Sequence, residues 1–385
     1  MRLAIAIPDV SIWRGGTERC VAALAEALGT RHEVTVFARA AEGLDTSRVR
    51  FVPVRVPGRP AVLRYLAYLR RAPRARRRAG EFDLVYSAGA NDPAPDVLAA
   101  HYCLGAAGTA LGPDARPRGL AGLGRAVFNR IAGAVERRVY RSPRVRCLTA
   151  VSSRLADDLA RSYGVPRERI EVVPDGVDLA RFDAARHAEA ATRLRAELGA
   201  GEGTIVLLFL GSDWERKGLP VALEAASRLG DADWRLWVAG YGDAARYTAR
   251  AHALGIAGRV RFLGERSDAE VLCAACDALV SPTRYEPFGL GPIEAGACGR
   301  PSVVSKTAGV AEHLADGESA LLVADPTSAE EVAEKLRVLL DAGVRRAMGE
   351  RAREVARSLS WEHVARRVEA VLESALAEKR GEEGP

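Results

Sequence analysis

The segment from Glu286 to Glu294, EPFGLGPIE, places two carboxylates eight positions apart around a glycine-rich turn. Gly289 and Gly291 have no side chain, so backbone N–H groups there can come close to a bound molecule. A helix is predicted to begin near Pro292, and helix N-termini favour anionic or hydroxyl-rich groups. A carboxylate before such a turn can bind sugar hydroxyls, and one inside the helix can hold a ribose diol. The segment predicts a nucleotide-sugar site, the alternative being a Pro/Gly turn with incidental acids.

A second segment, Gly211 to Gly218, carries two adjacent cations after a predicted strand. Arg216 and Lys217 could stabilise a diphosphate whose negative charge grows as a glycosidic bond breaks. Only four of the 56 basic residues in the chain are lysines. A lysine at this point, in a chain that otherwise uses arginine, indicates a need for a compact charge. The segment therefore predicts a phosphate-binding loop, the alternative being a solvated basic loop.

Two glycines, Gly15 and Gly16, follow the first predicted strand and open the first predicted helix. They would let a diphosphate or a sugar approach the backbone amides of a helix N-terminus. A tight turn explains the pair equally well, so the signal is weak by itself. The spacing is not that of the Gly-x-Gly-x-x-Gly fingerprint, which argues against simple NAD binding.

His101 ends the apolar run Val97–Ala100, at the carboxyl end of a predicted parallel strand. Ligands of α/β sheets bind at that edge, so the position predicts a site histidine, the alternative being a packed or capping residue. Arg266 lies in the loop after another predicted strand, and an ordinary connection explains that loop nearly as well.

Together and in this order, the segments resemble the retaining glycosyltransferases of family 4. The matching features are the two glutamates separated by seven residues, the Arg216-Lys217-Gly218 sequence and the Gly-Gly-x-Glu sequence that begins at Gly15. The resemblance covers nearly the whole chain. It implies an α/β fold of the GT-B type, in which two Rossmann-like, doubly wound domains face each other across a cleft and the C-terminal helix crosses back to the first domain.

The resemblance also implies roles for individual residues. Those implied in catalysis are His101, Arg216, Lys217 and Glu286. Those implied in donor binding are Gly15, Gly16, Gly211, Arg266, Phe288, Gly289, Leu290 and Glu294. Front-side attack is implied, without an agreed protein nucleophile and with the leaving phosphate taking part in deprotonating the acceptor. Whether His101 acts as a base or only positions substrate stays open. The Pro174–Asp178 element also matches the family, and we interpret it as structural, lining the cleft at most.

The elements that must position these residues form two α/β halves. In each half, short apolar runs alternate with helical periodicity, which predicts βαβ units and a parallel sheet. The predicted strands are 3–7, 33–37, 52–56, 82–87, 97–102, 147–151, 205–210, 234–239, 260–263, 278–281, 302–304 and 320–323. We predict an acceptor-binding domain over 1–182, completed by a crossover helix over 360–379, and a nucleotide-sugar-binding domain over 183–359.

No metal and no cofactor is predicted, and the nucleotide sugar is a substrate. No Asp-x-Asp sequence stands at the end of a predicted strand, which agrees with a metal-independent enzyme of the GT-B type. The chain has six cysteines. Cys273 and Cys276 have the spacing of a metal or redox pair, but they lie in an apparent helix without a second pair. We interpret the cysteines as free core residues.

Positive charge is concentrated in the first half, where residues 1–180 contain 29 arginines and 18 acids. The segment Arg64–Arg78 mixes arginines with leucines and tyrosines, which suits a helix lying on anionic lipid. A solvated helix face is the alternative, and no nucleic-acid-binding motif accompanies the charge. No export signal and no membrane-spanning run is recognised, so we expect a cytoplasmic protein, peripheral on the inner face of the cytoplasmic membrane.

The expected activity is transfer of a hexose, with glucose favoured, from a UDP-sugar to a hydroxyl of a lipid-linked or cell-envelope glycan. The Gly211-Ser-Asp sequence resembles the subset that glucosylates lipopolysaccharide core, although users of UDP-N-acetylglucosamine and GDP-mannose share the other motifs. Two alternatives stay open. One is a UDP-sugar epimerase of the GT-B type, and the other is a non-catalytic nucleotide-sugar-binding protein on membranes.

Overall fold

Two parallel sheets, one in each of two units, form the framework of the protein. The structure, a computed structural model, describes residues 1–13, 15–110 and 119–381. Contacts divide the chain into a first unit, Met1–Gly176 with Trp361–Pro385, and a second unit, Val177–Ser360. The sequence analysis placed the boundaries at 182/183 and 359/360, whereas the contacts divide the chain at 176/177 and 360/361.

The first unit contains a seven-stranded parallel sheet in the order β5-β3-β1-β6-β7-β8-β9. Its nine strands, with the small parallel pair β2 and β4, are β1 Arg2–Ala6, β2 Asp9–Ser11, β3 Glu33–Ala38, β4 Ala40–Glu42, β5 Val49–Pro53, β6 Leu84–Ala88, β7 Val97–Ala100, β8 Cys147–Ala150 and β9 Ile170–Val172. The helices between them are α1 Gly16–Leu28, α2 Ala61–Ala79, α3 Leu104–Ala110, α4 Gly119–Tyr140 and α5 Ser153–Tyr163. The strand order reverses beside β1, which makes the carboxyl ends of β1 and β6 a ligand-binding crevice.

The second unit contains a six-stranded parallel sheet in the order β12-β11-β10-β13-β14-β15. Its strands are β10 Ile205–Leu210, β11 Trp234–Ala239, β12 Val260–Gly264, β13 Ala278–Ser281, β14 Ser302–Ser305 and β15 Leu321–Val323. Its helices are α6 Ala188–Glu197, α7 Leu219–Ser227, α8 Ala244–Ala253, α9 Ala269–Ala275, α10 Leu290–Ala297, α11 Ala329–Val338 and α12 Ala342–Ser358. Here the order reverses between β10 and β13, which places the corresponding crevice at their carboxyl ends.

The last helix, α13 Trp361–Arg380, belongs to the first unit although it follows the whole of the second unit in sequence. Its apolar face, including Val368 and Leu372, is buried in the core beside α1. Glu369 accepts hydrogen bonds from Arg31 at 2.9 Å and pairs with His32 at 2.6 Å. The crossover helix expected from the sequence is therefore present.

One predicted strand, 52–56, is wrong by three residues. The parallel ladder with β3 runs from Val34 opposite Val49 to Ala38 opposite Pro53. Partner register decided the position, because the apolar run itself allows pairing to start at either place. The predicted strand 97–102 is also too long, since β7 ends at Ala100 and leaves His101 outside the ladder.

None of the described helices is long and apolar enough to cross a membrane.

Candidate active site

The predicted site residues fall into two groups, one at the carboxyl edge of each sheet. The first unit carries Gly15, Gly16 and His101, which follow β1–β2 and β7. The second unit carries the other nine, which follow β10, β12 and β13. Each group is built by loops that leave a rigid parallel sheet, which is where α/β folds hold ligands.

A three-residue ion cluster lies at the switch point of the second sheet. Lys217 Nζ lies 2.5 Å from Glu286 Oε2, and Arg216 Nη1 lies 3.5 Å from the same oxygen. Arg216 also donates to the backbone oxygen of Tyr285 at 2.6 Å and from Nε to Asp213 at 3.1 Å. The fold thus brings together both cations and the first glutamate of the Glu286–Glu294 pair.

Backbone geometry fixes the two cations. Gly218 has φ +80°, and a Cβ at this position would overlap the carbonyl oxygen of Pro282. Only glycine meets both demands, because other residues are strained at positive φ. The Arg216 carbonyl accepts from Arg284 N at 2.9 Å, which ties the loop after β10 to the loop after β13. Lys217 and Arg216 are therefore held on rigid backbone before any ligand binds.

The cluster keeps Glu286 ionised. Burial by itself would raise the pKa of this carboxyl, but the charges of Lys217 and Arg216 outweigh burial and hold the pKa below its ordinary value. Two carboxylates, Glu286 and the exposed Asp213, face the two cations. The oxygens of a bound diphosphate would compete with Glu286 for Lys217.

The glycine-rich turn after Glu286 presents backbone rather than side chains. Gly289 has φ +105° and forms the N-terminal boundary of α10. Phe288 is buried with its ring 6.0 Å from that of His313, so a donor contact from Phe288 would have to come from its backbone. Leu290 is half-buried at the start of α10, and Glu294 is buried within that helix.

Two further residues of the predicted donor set have local partners. Arg266 makes a bidentate pair with Asp268, at 2.8 and 2.5 Å. Because its guanidinium is occupied, Arg266 would reach a nucleotide base through its backbone. Gly211 has φ +138°, and a Cβ there would lie 3.1 Å from Lys217 Cε. Glycine at 211 therefore leaves room for the lysine side chain.

In the first unit, Gly15 and Gly16 form the start of α1. Gly15 has φ +71°, and a Cβ there would overlap the carboxylate of Glu18, which folds back over the helix N-terminus. A Cβ at Gly16 would meet no atom within 4 Å, so its backbone is open to a ligand. Burial raises the pKa of Glu18, and Asp9 raises it further.

His101 pairs with a residue that the sequence analysis set aside as structural. Its Nε2 lies 3.4 Å from Oδ1 of Asp175, and both side chains are about nine-tenths buried, with exposed fractions of 10% and 11%. Asp175 lies beyond the end of β9, two strands away from β7. The Asp175 carboxylate and the Glu18 carboxylate are therefore additions to the predicted site. For Glu18 the Gly-Gly-x-Glu pattern was a signal, whereas for Asp175 the only signal was its place in the Pro174–Asp178 element, after a strand, β9, that the sequence analysis did not predict.

All six cysteines are free thiols, and Cys276 points its Sγ at the Cys273 carbonyl oxygen, 3.4 Å away. Burial raises the pKa of Cys276 to about 12. In the part of the chain that the structure describes, no group of three or more metal-ligating side chains comes together.

Comparison with protein-family models gives one match for each of the two groups of predicted site residues. A model described as glycosyltransferase family 4 matches residues 14–181, and one described as glycosyl transferases group 1 matches residues 191–355. Together the two models cover most of the chain and identify it as a glycosyltransferase of the family 4 type. The first match contains Gly15, Gly16, His101 and Asp175, and the second contains the ion cluster and the Glu286–Glu294 pair.

Two curated relatives show how far sequence similarity extends. The lipopolysaccharide glucosyltransferase WaaG of Escherichia coli is 29% identical over 221 residues, which are 56% of this chain and 59% of WaaG. A D-inositol 3-phosphate glycosyltransferase of Geodermatophilus obscurus is 37% identical over 222 residues, 52% of this chain and 48% of that protein. The matched part of the chain thus spans about half the length of these relatives.

Two solved structures share the fold over almost the whole chain. The crystal structure of WaaG, a glycosyltransferase involved in lipopolysaccharide biosynthesis, superimposes with a TM-score of 0.80 at 24% identity, covering 96% of this chain and 99% of WaaG. HepE of Anabaena in complex with UDP-glucose superimposes with a TM-score of 0.72 at 20% identity, covering 97% and 99% of the two chains. The architecture is GT-B.

Proposed function

We propose that this protein is a retaining, metal-independent hexosyltransferase. It would move a hexose, with glucose favoured, from a UDP-sugar to a hydroxyl of a lipid-linked or cell-envelope glycan. The observation that carries the proposal is the ion cluster of Arg216, Lys217 and Glu286 at the switch point of the second sheet. A preorganised pair of cations at this place suits a leaving nucleoside diphosphate.

The chemistry follows from the charges. As the bond between the anomeric carbon and the diphosphate breaks, negative charge grows on the phosphate oxygens. Lys217 and Arg216 would stabilise that charge more strongly in the transition state than in the ground state, which is the condition for acceleration. Glu286, released from Lys217 by the phosphate, is then free to accept hydrogen bonds from sugar hydroxyls. Glu294 would hold the ribose from within α10.

The comparisons support the choice of donor and acceptor class. HepE has been crystallised with UDP-glucose, and WaaG is a lipopolysaccharide glucosyltransferase. A cavity of about 500 Å³ in the first unit supports an acceptor with an apolar part. It is lined by Pro8, Asp9, Arg39, Val56, Ala61, Arg64, Tyr65, Tyr68, Gly124, Arg125, Phe128 and Asn129. Aromatic rings on the wall and arginines around it suit an apolar chain that carries an anionic group.

Retention at the anomeric carbon is the test of the reaction. With a UDP-α-hexose as donor, we expect NMR of the product to show an α-linkage, because front-side attack leaves the new bond on the face of the old one. A thermal-shift panel of UDP-, GDP- and ADP-sugars fixes the base first. A ligand at about 100 times its Kd should stabilise the protein by roughly 2.7 kcal/mol.

A β-linked product from an α-linked donor would contradict the proposal. Incubation with the UDP-sugar alone, followed by product analysis, separates the rival activity, because an epimerase converts or cleaves its substrate without an acceptor. Donor binding without turnover in either assay would favour the non-catalytic nucleotide-sugar-binding protein.

A membrane-facing surface on α2 is the second part of the proposal. Tyr65 and Tyr68 of this helix point inwards, since their hydroxyls donate to the backbone oxygens of Ala90 and Ile7 at 2.8 and 2.9 Å. Each hydroxyl finds a backbone partner inside the protein, so the arginines of α2, and not these two tyrosines, would form the membrane-facing surface. Arg76 is also occupied, in an ion pair with the buried Asp92. The exposed cations of the segment are Arg70, Arg71, Arg74, Arg77 and Arg78.

Four of these arginines, at positions 70, 74, 77 and 78, have the spacing of one helix face. We expect the protein to bind vesicles containing phosphatidylglycerol, and binding to weaken steeply with salt, because each arginine near the surface contributes about 1 kcal/mol and is screened within a Debye length. Replacing these four with Gln should release the protein from vesicles and leave activity on a short soluble acceptor intact. The measurement is co-sedimentation of the protein with the vesicles at two salt concentrations, about 50 mM and about 500 mM.

The matched control replaces four exposed arginines of the second unit, Arg186, Arg193, Arg346 and Arg357, with Gln and should keep vesicle binding. Arg76 is left unchanged in both variants, because removing it would leave Asp92 buried without its cation. If the α2 variant still binds vesicles, the arginines of α2 form a solvated helix face and do not bind the membrane. Loss of soluble-acceptor activity in a folded variant would place α2 in the acceptor site.

A further inference from the structure

His101 and Asp175 form a nearly buried ion pair. Nε2 of His101 lies 3.4 Å from Asp175 Oδ1. Nδ1 is buried from solvent. A general base must present a free nitrogen to the proton that it removes. In His101, one nitrogen faces a carboxylate and the other is buried, which is a poor arrangement for a base.

The surroundings of the ring favour two protons on it. Burial by itself lowers the pKa of His101, but the Asp175 carboxylate, the Ala99 carbonyl and the Glu18 carboxylate together outweigh burial and raise it. Neutral imidazole carries a single N–H, so acceptors around the ring favour the imidazolium form.

Tyr86 and Asp9 are two further titratable groups close to the pair. Tyr86 on β6 faces Asp175, and burial raises the pKa of its phenol, so it stays neutral. Asp9 faces Glu18 and adds negative charge. Neither of these two groups brings a positive charge to the surroundings of His101, so both are compatible with a protonated ring.

We propose that Asp175 is a positioning residue that holds His101 as an imidazolium, so that His101 contributes charge and position to the reaction and does not remove the acceptor's proton. The inference rests on the proposed function and decides between the two roles that the sequence left open for His101. It also gives Asp175, on the Pro174–Asp178 element, a part in the site that its sequence context did not assign.

Two pH measurements test the inference. NMR titration of the ring protons of His101, assigned with a His101→Gln variant, gives the pKa of the ring without any assay of activity. A protonated His101 predicts that kcat/KM falls as pH rises through that pKa. In Asp175→Asn we expect the ring pKa to decrease, the alkaline limb of the pH profile to move to lower pH, and kcat/KM at pH about 7.5 to fall by about 10-fold or more. Asp175→Glu should restore the ring pKa, the position of the alkaline limb and kcat/KM.

The pH dependence of Tm tests the inference without any substrate. A histidine whose pKa is raised by folding stabilises the protein below its unfolded pKa of about 6.5, and this contribution is lost as pH rises through the folded pKa. The difference in Tm between wild type and Asp175→Asn should therefore be largest at acidic pH and should shrink as pH increases. The control is Asp178→Asn, an exposed neighbour whose carboxylate accepts from Ala180 N at 3.0 Å and which should leave the His101 titration unchanged.

Either of two results would overturn the inference. A kcat/KM that rises through the measured pKa of His101 would make the histidine a base. An unchanged His101 titration in Asp175→Asn would show that Asp175 does not hold the proton. Failure of the proposed function looks different, because transfer would then be undetectable in every variant while the NMR titration and the Tm difference still report on the pair.

Discussion

Replacing Lys217 with Ala should lower kcat by at least about 100-fold and change the apparent KM for the donor by only a few-fold. Its ammonium is held in the ion cluster 2.5 Å from Glu286. We assign it to the charge that develops on the leaving diphosphate, which is weak in the ground state and strong in the transition state. Single-turnover measurement of hexose transfer at saturating donor separates this loss from slow product release.

Two variants sharpen the interpretation of Lys217→Ala. Lys335→Ala removes another lysine of the second unit, one that lies 3.4 Å from Asp316, and should leave turnover unchanged. Lys217→Arg keeps the charge but not its compact shape, so it should recover only part of the activity. Because Glu286 loses one of its two cations, Tm is measured beside the kinetics. A folded Lys217→Ala variant with normal turnover would show that the phosphate site is misplaced.

Replacing Glu294 should affect binding rather than the chemical step. If Glu294 holds the ribose diol equally in the ground and transition states, Glu294→Ala should raise the donor KM by about 10- to 100-fold with kcat nearly unchanged. The carboxylate is buried in α10, so Glu294→Gln, which keeps the shape and a hydrogen-bond acceptor, is the variant that separates lost contact from lost packing. Calorimetric titration with UDP gives the affinity directly.

The matched control for Glu294 is Glu334→Ala, an exposed glutamate of α11 that should leave donor binding unchanged. If a folded Glu294→Ala variant binds UDP as tightly as wild type, the ribose is held elsewhere. If both variants bind donor and turn over normally, the whole assignment of the second unit is wrong.

Prediction from sequence worked best in the second sheet. Strands β10 and β11 begin and end where the sequence places them, at Ile205–Leu210 and Trp234–Ala239. Strands buried on both faces are continuous apolar runs, and turn residues end them sharply, so their limits are local information. The limits of β5 are not local, because an alternating run near a sheet edge can pair in more than one register.

The site shows the same division. Residue type and spacing along the chain identified the segments that carry the chemistry, because glycine turns, adjacent cations and paired glutamates are local features. The resemblance of those segments to the family 4 glycosyltransferases implied the GT-B fold. Only the tertiary structure decided which of these side chains meet. It places Glu286 beside Lys217 and directs Tyr65 and Tyr68 of α2 into the protein. It also brings Asp175 to His101 from two strands away. The physical reason is that the partner of a buried charge is set by the sheet order that places distant strand ends side by side, and sequence separation carries no trace of that order.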